Sequence, residues 1–294
     1  MVGAILAVSL PVAIVSGLLQ GWVIGPAMAE WTQQYLDALR TGDLSGVPLP
    51  PASASLAYVI AIASGIFGLV GNAAVITIVD ANYRGGTAGA GDGLRAAFRR
   101  IVTLIGILFA LFGLFIGIAL IGALLITLLV VVGALIGDAG LTILLSLIGA
   151  VGLIAAIVFF ALRWSLAPQV AMVEGVGALK SLGRSWRLID GSTWRLLGYY
   201  LLIGLVLIGF VLLTGLIVGI IQTIIFGPSF RIENGQVIPL SNPLALFMSS
   251  IFSSLALAII TPWWVTLLTL FYFDLRWRRG EQLPGDATVP AATA

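Results

Sequence analysis

The sequence predicts an all-α integral membrane protein: a bundle of six transmembrane helices with basic amphipathic helices at its cytoplasmic interface. Three observations predict it. The 294 residues are 60% hydrophobic and only 9% charged, with a mean hydropathy of +1.16, whereas soluble domains carry about 25% charged residues. Six apolar stretches, residues 2–24, 56–79, 101–136, 140–162, 197–226 and 244–273, contain no Asp, Glu, Lys, Arg or His. Each exceeds the ~20 residues that cross a hydrocarbon core. In lipid the backbone must satisfy its own hydrogen bonds, which makes these stretches helices, and they lack the alternating pattern of barrel strands.

The third observation fixes an orientation. Twelve of the 14 basic residues fall in three segments. Arg84, Arg95, Arg99 and Arg100 lie between stretches two and three. Arg163, Lys180, Arg184, Arg187 and Arg195 lie between four and five, and Arg276, Arg278 and Arg279 follow the last. Only Arg40 and Arg231 fall on the other side. The positive-inside rule then places both termini in the cytoplasm. Arg outnumbers Lys 13 to 1, which fits a GC-rich genome, and the expected location is the cytoplasmic membrane of a bacterium.

The elements follow in order. Stretch one is followed by Ala27-Met28-Ala29, the form of a signal-peptidase site, but its apolar run is long and no basic region precedes it. It is expected to stay as a span; cleavage, or a start upstream of Met1, remains the alternative. Trp31, Tyr35 and Leu39 recur at helical spacing and predict a short amphipathic helix on the outer surface. Pro48, Pro50 and Pro51 make a stiff lead into stretch two.

The inner loop that follows carries Gly85, Gly86, Gly89, Gly91 and Gly93, then Asp92 as a helix N-cap before a basic helix. Glycines ahead of a helix can cradle phosphate, but the Walker pattern and a preceding strand are both missing. Stretch three, 101–136, would run about 54 Å as one helix. No polar turn divides it, so a single tilted or projecting helix is expected.

Segment 164–196 is the most structured non-spanning piece. Pro168 suits a helix start. Met172, Val173, Val176, Leu179, Leu182, Trp186 and Ile189 form an apolar stripe at helical spacing, with Lys180, Arg184 and Arg187 on another face. Gly191 is placed to end that helix in the left-handed region, and Ser192 to cap stretch five. Between stretches five and six, Asn234-Gly235 flanked by β-formers predicts a hairpin. Pro262 lies inside stretch six, where it removes one backbone hydrogen bond. Residues 1–281 read as one membrane domain and 282–294 as a disordered tail.

Glycine pairs four apart, Gly21/Gly25, Gly113/Gly117, Gly133/Gly137 and Gly215/Gly219, offer close helix contacts. Stretches two–three and four–five form similar pairs around a basic inner segment, and Asp274-Leu275-Arg276 echoes Asp80 followed by Arg84. The absence of intramembrane charge argues against ion-coupled transport. Asn72 is the candidate interhelical polar contact. Cys and His are both absent, so thiolate chemistry and histidine acid–base or metal chemistry are excluded. The inner carboxylates Asp80, Asp92, Glu174, Asp190 and Asp274 sit beside arginines and read as interfacial salt bridges rather than a cation site.

Two segments carry a family resemblance. Arg163-Trp164-Ser165-Leu166-Ala167-Pro168, Glu174-Gly175-Val176, Leu179-Lys180-Ser181-Leu182-Gly183-Arg184-Ser185-Trp186-Arg187-Leu188 and Gly191-Ser192-Thr193-Trp194-Arg195 resemble the glycerophosphoryl diester phosphodiesterase membrane domain family. The ending Phe271-Tyr272-Phe273-Asp274-Leu275-Arg276-Trp277-Arg278-Arg279-Gly280 is similar to that family's closing motif, although Arg279-Gly280-Glu281 departs from its order. The likeness covers about 56–281 and lacks the family's basic opening segment. It implies a six-helix membrane domain that some members fuse to a catalytic domain, which this chain does not contain.

The expectation is therefore a non-enzymatic multi-pass protein, a scaffold or lipid-interacting partner, needing no cofactor or metal. Arg184, Trp186, Arg187, Arg276 and Arg278 are its candidate headgroup or partner contacts. Membrane lipids are the expected partners, with another membrane or cytoplasmic protein as a further one, and no nucleic acid. A transporter, channel or lipid-translocating protein with a weakly polar path is the alternative. A membrane-associated phosphodiester enzyme is the third.

Overall fold

A computed structural model describes residues 1–41, 49–228, 230–233, 236–239 and 242–281. Six helices in it are long and apolar enough to cross a membrane, so the protein is an all-α, multi-pass membrane protein. The elements are α1 (Val2–Leu19), a π-helical turn (Gln20–Ile24), α2 (Gly25–Thr41), α3 (Ser53–Tyr83), α4 (Ala90–Arg99), α5 (Ile101–Ile136), α6 (Ala139–Trp164), α7 (Ala167–Val173), α8 (Ala178–Ile189), α9 (Thr193–Phe226), β1 (Phe230–Glu233), β2 (Gln236–Pro239) and α10 (Pro243–Arg278). The undivided stretch 101–136 is one helix, as its lack of a polar turn requires. The strands pair antiparallel, with Phe230 opposite Pro239 and Glu233 opposite Gln236; Asn234 and Gly235 lie outside the described residues, as does the tail 282–294.

Three local expectations are corrected. The amphipathic segment at 31–39 is not a separate surface helix: the chain stays helical from Val2 to Thr41 through the π turn. That wide turn lies just ahead of Pro26, whose ring would meet the carbonyl four residues back in a regular α-helix. Asp92 is not the cap of α4 but sits in its first turn. Its Oδ2 accepts from Gly89 N–H at 3.1 Å, the reach-back half of a capping box. The apolar stripe of 172–189 is not one helix but two, α7 and α8, broken at Gly175 with φ +75°.

The chain forms two compact units. The first comprises Met1–Ile78, Ala88–Arg95 and Leu202–Thr266. Here Gly17 and Gly21 let α1 and its π turn approach α10. A Cβ at Gly17 would lie 3.0 Å from Phe247, and one at Gly21 would lie 2.5 Å from the Pro243 carbonyl oxygen. Ser16 and Ser250 both donate to the Ala13 carbonyl, at 3.1 and 3.0 Å. Gln222 Nε2 donates to the Ala245 carbonyl at 2.9 Å and ties α9 to α10. With no hydrophobic drive between helices in lipid, close approach and such polar contacts hold them together.

The second unit comprises Val79–Thr87, Ala96–Leu201 and Leu267–Ala294. Its α5–α6 hairpin turns at Gly137, φ +79°, and at Asp138, whose side chain accepts from Leu141 N–H. Gly122 packs on Leu153, Gly149 on Ile126 and Leu129, and Gly133 on Thr142. The short helices rest on a core of Leu166, Val170, Leu188, Ile189, Leu196 and Tyr272. Asp80–Arg84 and Asp274–Arg278 each close an i,i+4 pair, at 2.8 and 3.0 Å, and the Tyr83 and Phe273 rings stack at 4.1 Å. The structural counterpart of Asp80–Arg84 is thus Asp274–Arg278, whereas Arg276 of the sequence echo stands near Glu174 and Glu281 instead.

Candidate functional site

The second unit gathers most of the charge and aromatic chemistry, and the break between α7 and α8 organises it. Gly175 adopts a conformation that costs a side-chain-bearing residue energy. A Cβ there would also lie 2.7 Å from Arg100 Nη2. Arg100 Nη1 donates to the Ala171 carbonyl at 3.4 Å, near the end of α7. The bend turns Glu174 toward α8 and the end of α10. The buried face of α8 is Ser181, Leu182, Ser185, Leu188 and Ile189, which leaves Leu179 of the expected stripe 78% exposed.

Around Glu174 lies a compact ionic cluster. Its Oε1 accepts from Tyr272 Oη at 2.9 Å and from Arg184 Nε at 3.3 Å. Arg184 also donates through Nη2 to Glu281. Arg276, with a side chain 7% exposed, stands 3.9 Å from Glu174 and 3.7 Å from Glu281. Burial opposes the charge on Arg184, but its hydrogen bonds and the charges of Glu281 and Glu174 outweigh it and hold its pKa above the ordinary value. Burial likewise opposes ionisation of Glu281, yet the Arg184 hydrogen bond and the nearby guanidiniums win and hold its carboxyl below the usual range. Two carboxylates and two guanidiniums neutralise one another, and the cluster pins the α7–α8 bend to the end of α10.

A second cluster is aromatic. Trp186 sits among Phe159, Phe160 and Trp164, with ring centroids 5.9, 5.8 and 6.0 Å away. The Arg163 guanidinium lies over Trp186 at 5.0 Å and over Phe159 at 5.2 Å. Its Nη1 donates to Asp190 at 2.9 Å, while its Nε is buried with no hydrogen-bond partner among the described residues. Beside it, between the end of α6 and the start of α9, opens a groove of about 650 Å³. Ala155, Val158, Phe159, Leu162 and Leu197 form an apolar wall that ends at Arg163, Thr193 and Trp194. Trp194 is 85% exposed at the lip.

The five residues singled out from sequence therefore part company. Arg184 and Arg276 belong to the ionic cluster, and Trp186 to the aromatic one. Arg278 is held by Asp274. Arg187 is exposed and has no ion pair among the described residues. Four of the five inner carboxylates, Asp80, Glu174, Asp190 and Asp274, form salt bridges; among the described residues no group of three or more His, Cys, Asp or Glu is placed to hold a metal. Asn72 lies in the first unit, its Oδ1 buried with no partner among the described residues. Sequence reasoning missed the roles of Arg163, Tyr272 and Glu281. The only signal for Arg163 was the aromatic-basic run Phe159-Phe160-Ala161-Leu162-Arg163-Trp164. No family model, curated protein or solved structure matches the chain.

Proposed function

We propose that this chain is a non-enzymatic membrane protein that holds an anionic phospholipid on its second unit, in a cytoplasmic membrane with both termini inside. The groove at Arg163 is the observation that carries this reading. Its wall is apolar over the length of α6 that a lipid tail would follow, and its end carries the Arg163 side chain, Thr193 and the first turn of α9. A helix N-terminus and an arginine both favour a phosphate, and Trp194 suits the interfacial depth. Exposed Lys180 and Arg187 on α8 add positive charge to the same unit. The motifs shared with the glycerophosphoryl diester phosphodiesterase membrane domain fall on this region, and membership of that family is part of the proposal.

Native mass spectrometry of the protein in detergent with added phosphatidylglycerol tests it. Wild type retains the lipid, and Val158→Trp, which fills the groove, loses it. Arg187→Gln weakens retention without abolishing it. Equal retention by wild type and Val158→Trp, or no retained lipid, rejects the reading. Arg184 is unsuited as a probe, because its loss opens an internal ionic cluster.

A further inference from the structure

The first unit contains a cavity that the lipid reading does not use. It has a volume of about 230 Å³ and is lined from α1, α3 and α10 by residues that include Ser9, Ser16, Asn72, Ser254 and Thr261. Asn72 Oδ1 and Ser9 Oγ are both buried and both lack a hydrogen-bond partner among the described residues. In hydrocarbon an unpartnered oxygen is costly, so two at one cavity indicate that something else completes them. No lining residue among those described carries a charge, which disfavours an ion and a phosphate alike.

The lining is close-packed at some positions and open at others. α1 carries Pro11 and α10 carries Pro262, each removing one backbone hydrogen bond next to the lining residues. On α3, a Cβ at Gly71 would lie 2.9 Å from Ile5 Cδ1, whereas one at exposed Gly68, also in the lining, would meet nothing within 4 Å. The cavity is not sealed: Phe67 is 41% exposed and Ser64 is exposed, whereas Ala13 and Gly71 are buried. All four lie inside uncharged stretches, so entry is sideways from the bilayer. At about 30 Å³ per water, the space takes a group of several heavy atoms.

We infer that this cavity binds the uncharged, hydroxyl-bearing head of a neutral lipid of the diacylglycerol class. A hydroxyl there donates to Asn72 Oδ1 and accepts from Ser9 Oγ–H, and the ester-bearing glycerol lies against Val12, Ala13 and Phe67. Charge-free walls exclude phospholipid headgroups, and the lateral opening passes the two tails.

The test is native mass spectrometry of the full chain with dioleoylglycerol and, separately, dioleoylphosphatidylglycerol, on wild type, Gly68→Val, Ser9→Ala and Asn72→Ala, each checked by thermal unfolding. Wild type retains dioleoylglycerol. Gly68→Val, which puts a side chain into the open space, loses it, and Asn72→Ala and Ser9→Ala each weaken retention by up to about tenfold, the scale of one hydrogen bond. Phosphatidylglycerol retention stays unchanged in all three, because its groove belongs to the other unit. Should Gly68→Val fail to fold, the two alanine variants carry the test. A wild type that keeps no dioleoylglycerol, as when water alone fills the cavity, overturns the inference. So does a variant set that keeps it undiminished. Failure of the phosphatidylglycerol arm alone overturns only the proposed function.

Discussion

At the scale of single residues, the ionic cluster shows how little a charge's type says about its task. Arg184 and Arg187 are three positions apart on α8, yet one is fixed between Glu174 and Glu281 and the other is exposed. Buried Arg276 matters most to integrity, since removing one partner of a buried ion pair leaves uncompensated charge. Glu281 gives this cluster a pH dependence. Its folded pKa lies below its ordinary value of 4.5, so its contribution is complete above that value and is lost as pH falls through the folded pKa. Thermal unfolding measured at about pH 7 and about pH 3.5 should show a larger loss for wild type than for Glu281→Gln. Equal losses would mean that Glu281 is not held by these arginines.

At the scale of elements, packing depends on which side of a helix a glycine occupies. Of the pairs four apart, Gly21 and Gly25 do meet α10, at Pro243 and Leu246. Gly133 meets Thr142, with the Thr142 Cα 2.7 Å from where its Cβ would be. Gly113, Gly117, Gly215 and Gly219 meet nothing within 4 Å. The closest α5–α6 approaches also use Gly122 and Gly149, which are not in such pairs. Gly133→Leu should therefore destabilise the hairpin by about 1–3 kcal/mol through overpacking. Gly113→Leu should leave the thermal midpoint unchanged, since its side chain projects into open space. A similar loss from both would place α5 in a different rotation about its axis.

At the scale of the whole molecule, the membrane orientation is the main quantity left to measure. The chain has no cysteine, so single cysteines report without background. Arg99→Cys and Lys180→Cys should react with a membrane-impermeant maleimide from the cytoplasmic side. Leu49→Cys, at a position 89% exposed in wild type, should react from the opposite side. Any reversal of this pattern refutes the orientation drawn from the arginine distribution.

The number of helices long and apolar enough to cross a membrane was legible in the sequence because length and composition alone decide it. Stretch 101–136 is α5 from its first residue to its last, and the Gly191 stop, φ +78°, is a matter of local backbone sterics. Of the salt bridges at the inner carboxylates, Asp80–Arg84 and Asp274–Arg278 were legible because each pair is four apart on one helix, whereas Asp190 pairs with Arg163 and Glu174 with Arg184 from outside helical spacing. What only the tertiary structure decided depends on residues distant in sequence. Arg184 reaches Glu281 across 97 positions and Tyr272 reaches Glu174 across 98, so no periodicity could show that Arg184 was already engaged. The stripe at 172–189 misled because Gly175 resets the helical phase and turns Leu179 outward. Asn72 was marked by its polarity, but only the arrangement of α1, α3 and α10 set it at a cavity rather than against a partner. Hydrophobic length specifies where a helix crosses; which of its faces meets a neighbour is fixed by contacts that the linear pattern does not contain.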